Sequence, residues 1–378
     1  MAAPRTGRGA VLRLRPAMHT SGNPTQLASQ DTPVASHPAH TLPVRILGLD
    51  VTATPGPRKP LTLAVCDLAP GSGNAPDNGM PDRPGLPDWP DWPDWPGLLG
   101  APPVLTLHEL RELHALGDLD RLFGGLLDAG FAGGDVPPDA GWVLGIDAAL
   151  AQPLELVEQL DWPRDWAGYA ALCGTMDRAT FRDLLRGVSA ARPAGQKYLY
   201  RACCRRAGAA SPMNTVRPPV ALMFHAVAPR LAAHQVHVPL LRPLPDLSAS
   251  PRAALETYPG WLARQLIGRT PYKGGESSDR AARRKARTDL LGSLAGLAGS
   301  TNATGLPFLT IRWNADHAAR MLDDPEADLL DALLCAVLAA ASTLRPGYGL
   351  PTRSAPPRGI TAAQLGVEGW IAGLPPVA

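Results

Sequence analysis

Val44-Arg45-Ile46-Leu47-Gly48-Leu49-Asp50 and Trp142-Val143-Leu144-Gly145-Ile146-Asp147 are the two stretches that decide the fold. Each is a near-continuous apolar run ending in an acid, and the two ends read LGLD and LGID. A strand without polar alternation needs cover on both faces, as in a sheet held between helices. Paired as parallel neighbours, the two runs bring Asp50 and Asp147 out together at their carboxyl ends, where open α/β sheets place their chemistry.

Working outward, Leu61 to Leu68 (LTLAVCDL) follows the turn-rich TPGPRKP and is the expected antiparallel partner of the first run. Val104 to Leu107 reads as a strand. Glu109 to Ala129 reads as an amphipathic helix, with Leu110, Leu113, Leu116, Leu119, Leu122 and Leu126 spaced by threes and fours. Between them, residues 69–103 are of low complexity and carry DWPDWPDWP at 88–96. Proline at every third position forbids helix and central strand, which makes this a surface insertion. Its Trp89, Trp92 and Trp95 form either a stacking patch or a repeat without function.

The second half has a different texture. Residues 148–252 are interrupted by proline, with helices expected at 177–188, 196–208 and 218–233. Ala253 to Tyr258 is a further short strand carrying Glu256 and stopped by Pro259. A short helix near 260–268, the loop Thr270-Pro271-Tyr272-Lys273-Gly274-Gly275 and a basic helix near 279–297 follow. The closing helix has the clearest signature. Asp324 suits the N-cap, Pro325 the first helical position and Glu326 the positive helix end. Leu330, Leu333, Leu334, Val337, Leu338 and Ala341 form its apolar stripe. Asp328 and Asp331 share one face, and Asp331 falls about two turns in, beside that stripe.

The chain has 378 residues and a formal net charge of +2, so no overall field selects a polyanionic partner. Its 38 Gly and 42 Pro make up about a fifth of the residues, against roughly 12% on average. That excess excludes a helical bundle or coiled coil. The five cysteines, Cys66, Cys173, Cys203, Cys204 and Cys335, are odd in number and lack zinc-ligand spacing, which points to a reducing, cytoplasmic setting. The apolar stretch at 329–342 falls short of the roughly 20 residues of a membrane span. Residues 1–42 read as a disordered tail, in which Met18 is an alternative start.

The chemistry rests on acids. Asp50 and Asp147 end two strands, Glu256 lies on a third, and Asp328 and Asp331 lie on the closing helix. Hard oxygen ligands gathered at one sheet edge suit Mg²⁺ or Mn²⁺, and like charges so placed repel unless a cation joins them. Each strand-end acid alone is equally the first residue of a turn. Asp328 is also explained as a helix-start acid, whereas Asp331 beside an apolar stripe requires a partner. Other chemistries lack their residues: there is no GxSxG, no Walker A, no GxGxxG, and His234 and His237 have no zinc-ligand partner.

The chain resembles domain-of-unknown-function family 429, a group of predicted nucleases of RNase H-like fold. The resemblance is carried by LGLDVTA at 47–53, GWVLGIDAAL at 141–150, YRACCRR at 200–206, LETYPGWLARQL at 255–266, YKG at 272–274, LLDALLCAVLA at 329–339 and EGWI at 368–371. These segments span the chain from residue 44 to 371. Cys204 stands where an acid is expected nearby, and Val51 where the residue is usually small or aromatic. The resemblance implies an α/β fold, an RNase H-like mixed sheet flanked by helices, over residues 43–374, with 69–103 and 148–252 as insertions. It also implies two-metal phosphodiester hydrolysis on nucleic acid, with Asp50, Asp147, Glu256, Asp328 and Asp331 holding Mg²⁺ or Mn²⁺. Lys273 would join the catalytic residues. Arg201, Arg205, Lys273, Arg283 and Arg284 are then the candidate nucleic-acid contacts, because Arg and Lys make most phosphate contacts. A non-catalytic binding protein of the same fold is the alternative. An actin-like phosphotransferase is a more remote one, since Val51 and Thr52 stand where its phosphate loop needs glycine.

Overall fold

All seven residues of strand β1, Val44–Asp50, are buried, as a strand without polar alternation requires. The structure is a computed structural model that describes residues 42–71, 101–131, 136–137, 141–243, 252–275, 277–297 and 309–375. The tail up to residue 41 and the DWP repeat lie outside the described residues. The fold is α/β. A six-stranded mixed sheet combines β1 with β2 (Leu61–Ala69), β3 (Val104–Leu113), β4 (Trp142–Asp147), β5 (Arg252–Glu256) and β6 (Thr310–Arg312), in the order β5-β4-β1-β2-β3-β6. β2 runs antiparallel to β1 and to β3, while β4 is parallel to both β1 and β5, and β6 is parallel to β3.

Helices cover both faces. On the face of Ile46 and Val143 lie α7 (Pro259–Ile267), α8 (Arg280–Ala295) and α10 (Asp328–Thr343), which contribute Leu262, Leu290, Leu330 and Leu334 to one core. On the face of Leu47, Leu49, Leu144 and Ile146 lie α1 (Leu116–Phe123), α3 (Trp166–Gly174), α4 (Arg178–Ala190) and α6 (Val220–Ala233). Their Phe123, Tyr169, Phe181 and Phe224 build the second core, with Phe181 and Phe224 stacked at 6.0 Å. The helices of 148–252 therefore supply the layer that seals one side of the sheet. The remaining helices are α2 (Leu154–Gln159), α5 (Ala202–Ala207), α9 (Ala315–Asp323) and α11 (Ala362–Glu368).

Three expectations need correction. The helix expected from Glu109 is strand up to Leu113, and only Leu116–Phe123 is helical. The strand also carries a bulge: β3 pairs Leu107 with Cys66 and Glu109 with Val65, leaving His108 as the extra residue. A bulge swaps the faces of a strand. Leu107 and Leu110 thus share one core, while Leu110 and Leu113 face opposite cores of a strand buried on both sides, and it is their spacing of three that imitates a helical stripe. The helix expected at 196–208 shrinks to α5. Finally, α10 starts at Asp328 and not at Pro325. Ala327 adopts a left-handed φ of 57°, and Asp324 reaches past it to accept from the Leu329 N–H at 2.9 Å. Asp331 therefore lies in the first turn of α10, where the helix dipole favours a carboxylate.

Candidate metal centre

Register places two of the acids side by side. Asp50 pairs with Asp147 and, two residues earlier, Gly48 pairs with Gly145. Residues two apart on a strand face the same way. The face that carries both acids therefore also presents two positions without a side chain. Helix α10 uses them: a Cβ at Gly48 would overlap the Ala332 carbonyl and the Ala336 nitrogen, with the Ala336 Cα at 3.0 Å. A Cβ at Gly145 would overlap the Cys335 carbonyl. The helix thus lies directly on backbone, a turn away from Asp331.

This approach brings Asp50, Asp147 and Asp331 together, with one carboxylate oxygen of each within 4.8 Å of the others. Asp331 is fully buried. The Tyr272 hydroxyl donates to its Oδ1 at 2.7 Å, and the Lys273 ammonium pairs with its Oδ2. The loop carrying Tyr272 and Lys273 is pinned from two sides. Arg287 of α8 donates to the Tyr272 carbonyl at 2.8 Å and also to the Leu322 carbonyl, and the Gly274 N–H donates to the Pro325 carbonyl at 2.9 Å.

Electrostatics mark the cluster as strained by like charge. Burial, followed by the charges of Asp147, Asp331 and Asp328, holds the Asp50 carboxyl well above the usual carboxylate range. Burial and the Asp331 charge push Asp147 up to about 7, against the lowering effects of Lys273 and of the hydrogen bond with Asp50. The pair therefore holds a proton near neutral pH, as two carboxylates sharing one site do. Burial works against the Lys273 ammonium, but Asp331, Asp147 and Asp50 outweigh it and keep the group charged. Three carboxylates from three elements, this close together, could hold a metal ion.

The other candidates sit elsewhere. Glu256 is engaged by Arg201, which donates Nη1 to Oε2 at 2.7 Å and pairs Nη2 with Oε1, and by the Leu150 N–H at 2.8 Å. It stands near the cluster and raises Asp147 by its charge, but its oxygens serve this buried ion pair. Asp328 faces Lys59 at 3.6 Å, outside the three-carboxylate group. Arg201 is 1% exposed and its guanidinium is engaged by Glu256. Arg205 lies exposed over the Tyr200 ring at 4.9 Å. Arg283 pairs with Asp279 at 3.5 Å and Arg284 with Asp323 at 2.7 Å.

Two features escape sequence reasoning. Glu368, buried in the EGWI segment, accepts from the Leu154, Ala202 and Gln364 N–H groups, and its carbonyl accepts from Arg201 at 3.0 Å. Arg201 also points its Nε at the Cys204 sulfur at 3.3 Å. No pattern signals these pairings, which span up to 214 residues of chain. Comparison with protein-family models, with curated proteins and with solved structures finds no match.

Proposed function

We propose that this protein is a metal-dependent nuclease of RNase H-like fold that hydrolyses phosphodiester bonds of nucleic acid. The observation that carries the reading is the convergence of Asp50, Asp147 and Asp331 within 4.8 Å at the ends of two parallel strands and on the closing helix. The strand order supports the fold. A hairpin, a third antiparallel strand, then strands parallel to the first on its other side, with acids at β1, β4 and the last long helix, is the layout that the family resemblance implies.

In this reading Asp50, Asp147 and Asp331 hold Mg²⁺ or Mn²⁺, which when bound activates water and stabilises charge on the phosphate oxygens. Tyr272 fixes the rotamer of Asp331. Lys273, with its side chain 46% exposed, places positive charge beside the cluster and reaches toward a phosphate. Arg201 neutralises Glu256, so that this acid adds structure and not a ligand. Among the described residues no helix is long and apolar enough to cross a membrane. All five cysteines are free and buried, which supports a cytoplasmic setting.

One observation favours the alternative, a non-catalytic binding protein of the same fold: Lys273 already supplies Asp331 with a cation. Calorimetric titration with Mn²⁺ and incubation with single-stranded, duplex, hybrid and branched nucleic acids separate the two. The nuclease reading expects Mn²⁺ binding and cleavage, both lost in Asp50→Asn. Equal cleavage by wild type and Asp50→Asn defeats it, and neither binding nor cleavage leaves the binding protein.

A further inference from the structure

Beside the acidic cluster opens a cavity of about 500 Å³ whose wall includes Asp147 and Lys273. That size falls within the roughly 300–1,000 Å³ of small-ligand sites. Arg201 and Glu256, whose charges are already matched, also line it. Much of the remaining wall is apolar and comes from the helical segment between β4 and β5: Ala209, Ala210, Val220 and Met223. Arg264 and Arg269 line it too.

We infer that this cavity receives the base of an unpaired nucleotide, so that the enzyme cuts single-stranded or locally unpaired nucleic acid and spares perfect duplex. The inference rests on the nuclease reading above, since it is the neighbouring carboxylates that define where the phosphate lies. A ring with apolar faces suits the apolar wall, and a phosphate attached to it would lie toward Asp147 and Lys273. A base inside a duplex is stacked on both sides and paired along one edge, so only an extruded or unpaired base can enter a recess of this kind. The residues that line the cavity from 209 to 223 belong to no acid-bearing strand or helix. They shape what enters and leave the carboxylates untouched.

The test compares wild type with Ala210→Trp, which fills the cavity and leaves the cluster intact. In Mn²⁺, three substrates of one sequence are offered: a single strand, a perfect duplex, and a duplex with a one-nucleotide bulge. Calorimetry with Mn²⁺, and then with a nucleoside 5′-monophosphate, reads occupancy without cleavage. We expect the single strand and the bulge to be cut at least tenfold faster than the duplex. Ala210→Trp should lose at least tenfold in both cleavage and mononucleotide binding while binding Mn²⁺ as wild type does. Met223→Trp serves if Ala210→Trp does not fold. Duplex cut as fast as single strand, or filled variants as active as wild type, overturns the cavity's role and leaves the nuclease reading standing. Mononucleotide binding without cleavage of any substrate overturns the nuclease reading instead, and absence of both overturns the two together.

Discussion

Adding one methyl group at Gly48 tests how the cluster is assembled. The new Cβ would stand 3.0 Å from the α-carbon of Ala336, with the Ala332 carbonyl oxygen and Ala336 nitrogen nearer still. Carbon atoms pack at about 3.5–4.0 Å, so this carbon–carbon approach alone requires α10 to retreat by at least about 0.5 Å, and the carbonyl demands more. The opposing atoms are helix backbone, which has no rotamer to turn. Overpacking of this kind costs about 1–3 kcal/mol, and the upper end is expected here because strand and helix are both fully buried. Asp331 starts one residue before Ala332 and moves with it, away from Asp50 and Asp147. A displacement near 1 Å lowers function by up to about 100-fold. Urea unfolding and Mn²⁺ calorimetry on Gly48→Ala should therefore show lost stability and weaker metal binding together. Gly292→Ala is the control: nothing lies within 4 Å of that Cβ on α8, so helix propensity alone should raise stability by about 0.5–1 kcal/mol. Gly48→Ala with wild-type stability and Mn²⁺ affinity would refute the close-approach argument.

Other consequences concern charge. Because the fold raises Asp147 to about 7, it favours the protonated form; the contribution of this group to metal-free stability is full below the unfolded carboxyl pKa and is lost as pH rises from about 4 to about 7. Urea midpoints across that range should fall for wild type, stay flatter for Asp147→Asn, and flatten again in saturating Mn²⁺; a wild-type profile no steeper than that of Asp147→Asn contradicts the shift. Arg201→Met leaves the Glu256 charge buried and alone, and should cost about 3–5 kcal/mol in unfolding measurements, with recovery in the double variant carrying Glu256→Gln. Glu256→Gln should keep Mn²⁺ affinity while Asp331→Asn abolishes it, and the reverse pattern would return Glu256 to the ligand set. Lys273→Met removes a competing cation from Asp331, so calorimetry should show tighter Mn²⁺ binding alongside slower cleavage. Weaker binding would mean that Lys273 supports the metal instead.

How much of this is legible in the sequence follows from the range of each interaction. β1 and β4 can be read because their burial on both faces is written in consecutive residues, and so can the acids that end them. The glycines in LGLD and LGID are visible as a repeat, but their purpose depends on a helix that comes much later in the chain, at Ala332 to Ala336. The end of β3 reads as helix because Leu110 and Leu113, three apart, are both buried although they face opposite cores, and a strand covered on both sides can show the spacing of a helix. Asp331 is recognisable as an acid in need of a partner, whereas its place in the first turn depends on the left-handed turn at Ala327, where alanine gives no signal. Glu256 pairs with Arg201 and lies outside the three-carboxylate group. A strand-end acid looks the same whether it meets a metal or an arginine 55 residues away.

The outer edge of β5 has one more consequence. Its Arg252 carbonyl accepts from the His237 N–H, its Ala254 N–H donates to the His237 carbonyl, and its Glu256 carbonyl accepts from the Ala372 N–H. At the opposite edge β6 is three residues long. An open row of backbone donors and acceptors is a template for aggregation, which proteins block by covering or shortening their outermost strands. Cover is in use along β5 and shortening at β6, which pairs with Val104 to Thr106 alone. Leu107 to Leu113 of β3 has no strand partner on that side among the described residues, so an incoming strand from another molecule would have to zip onto β3 and not onto β5.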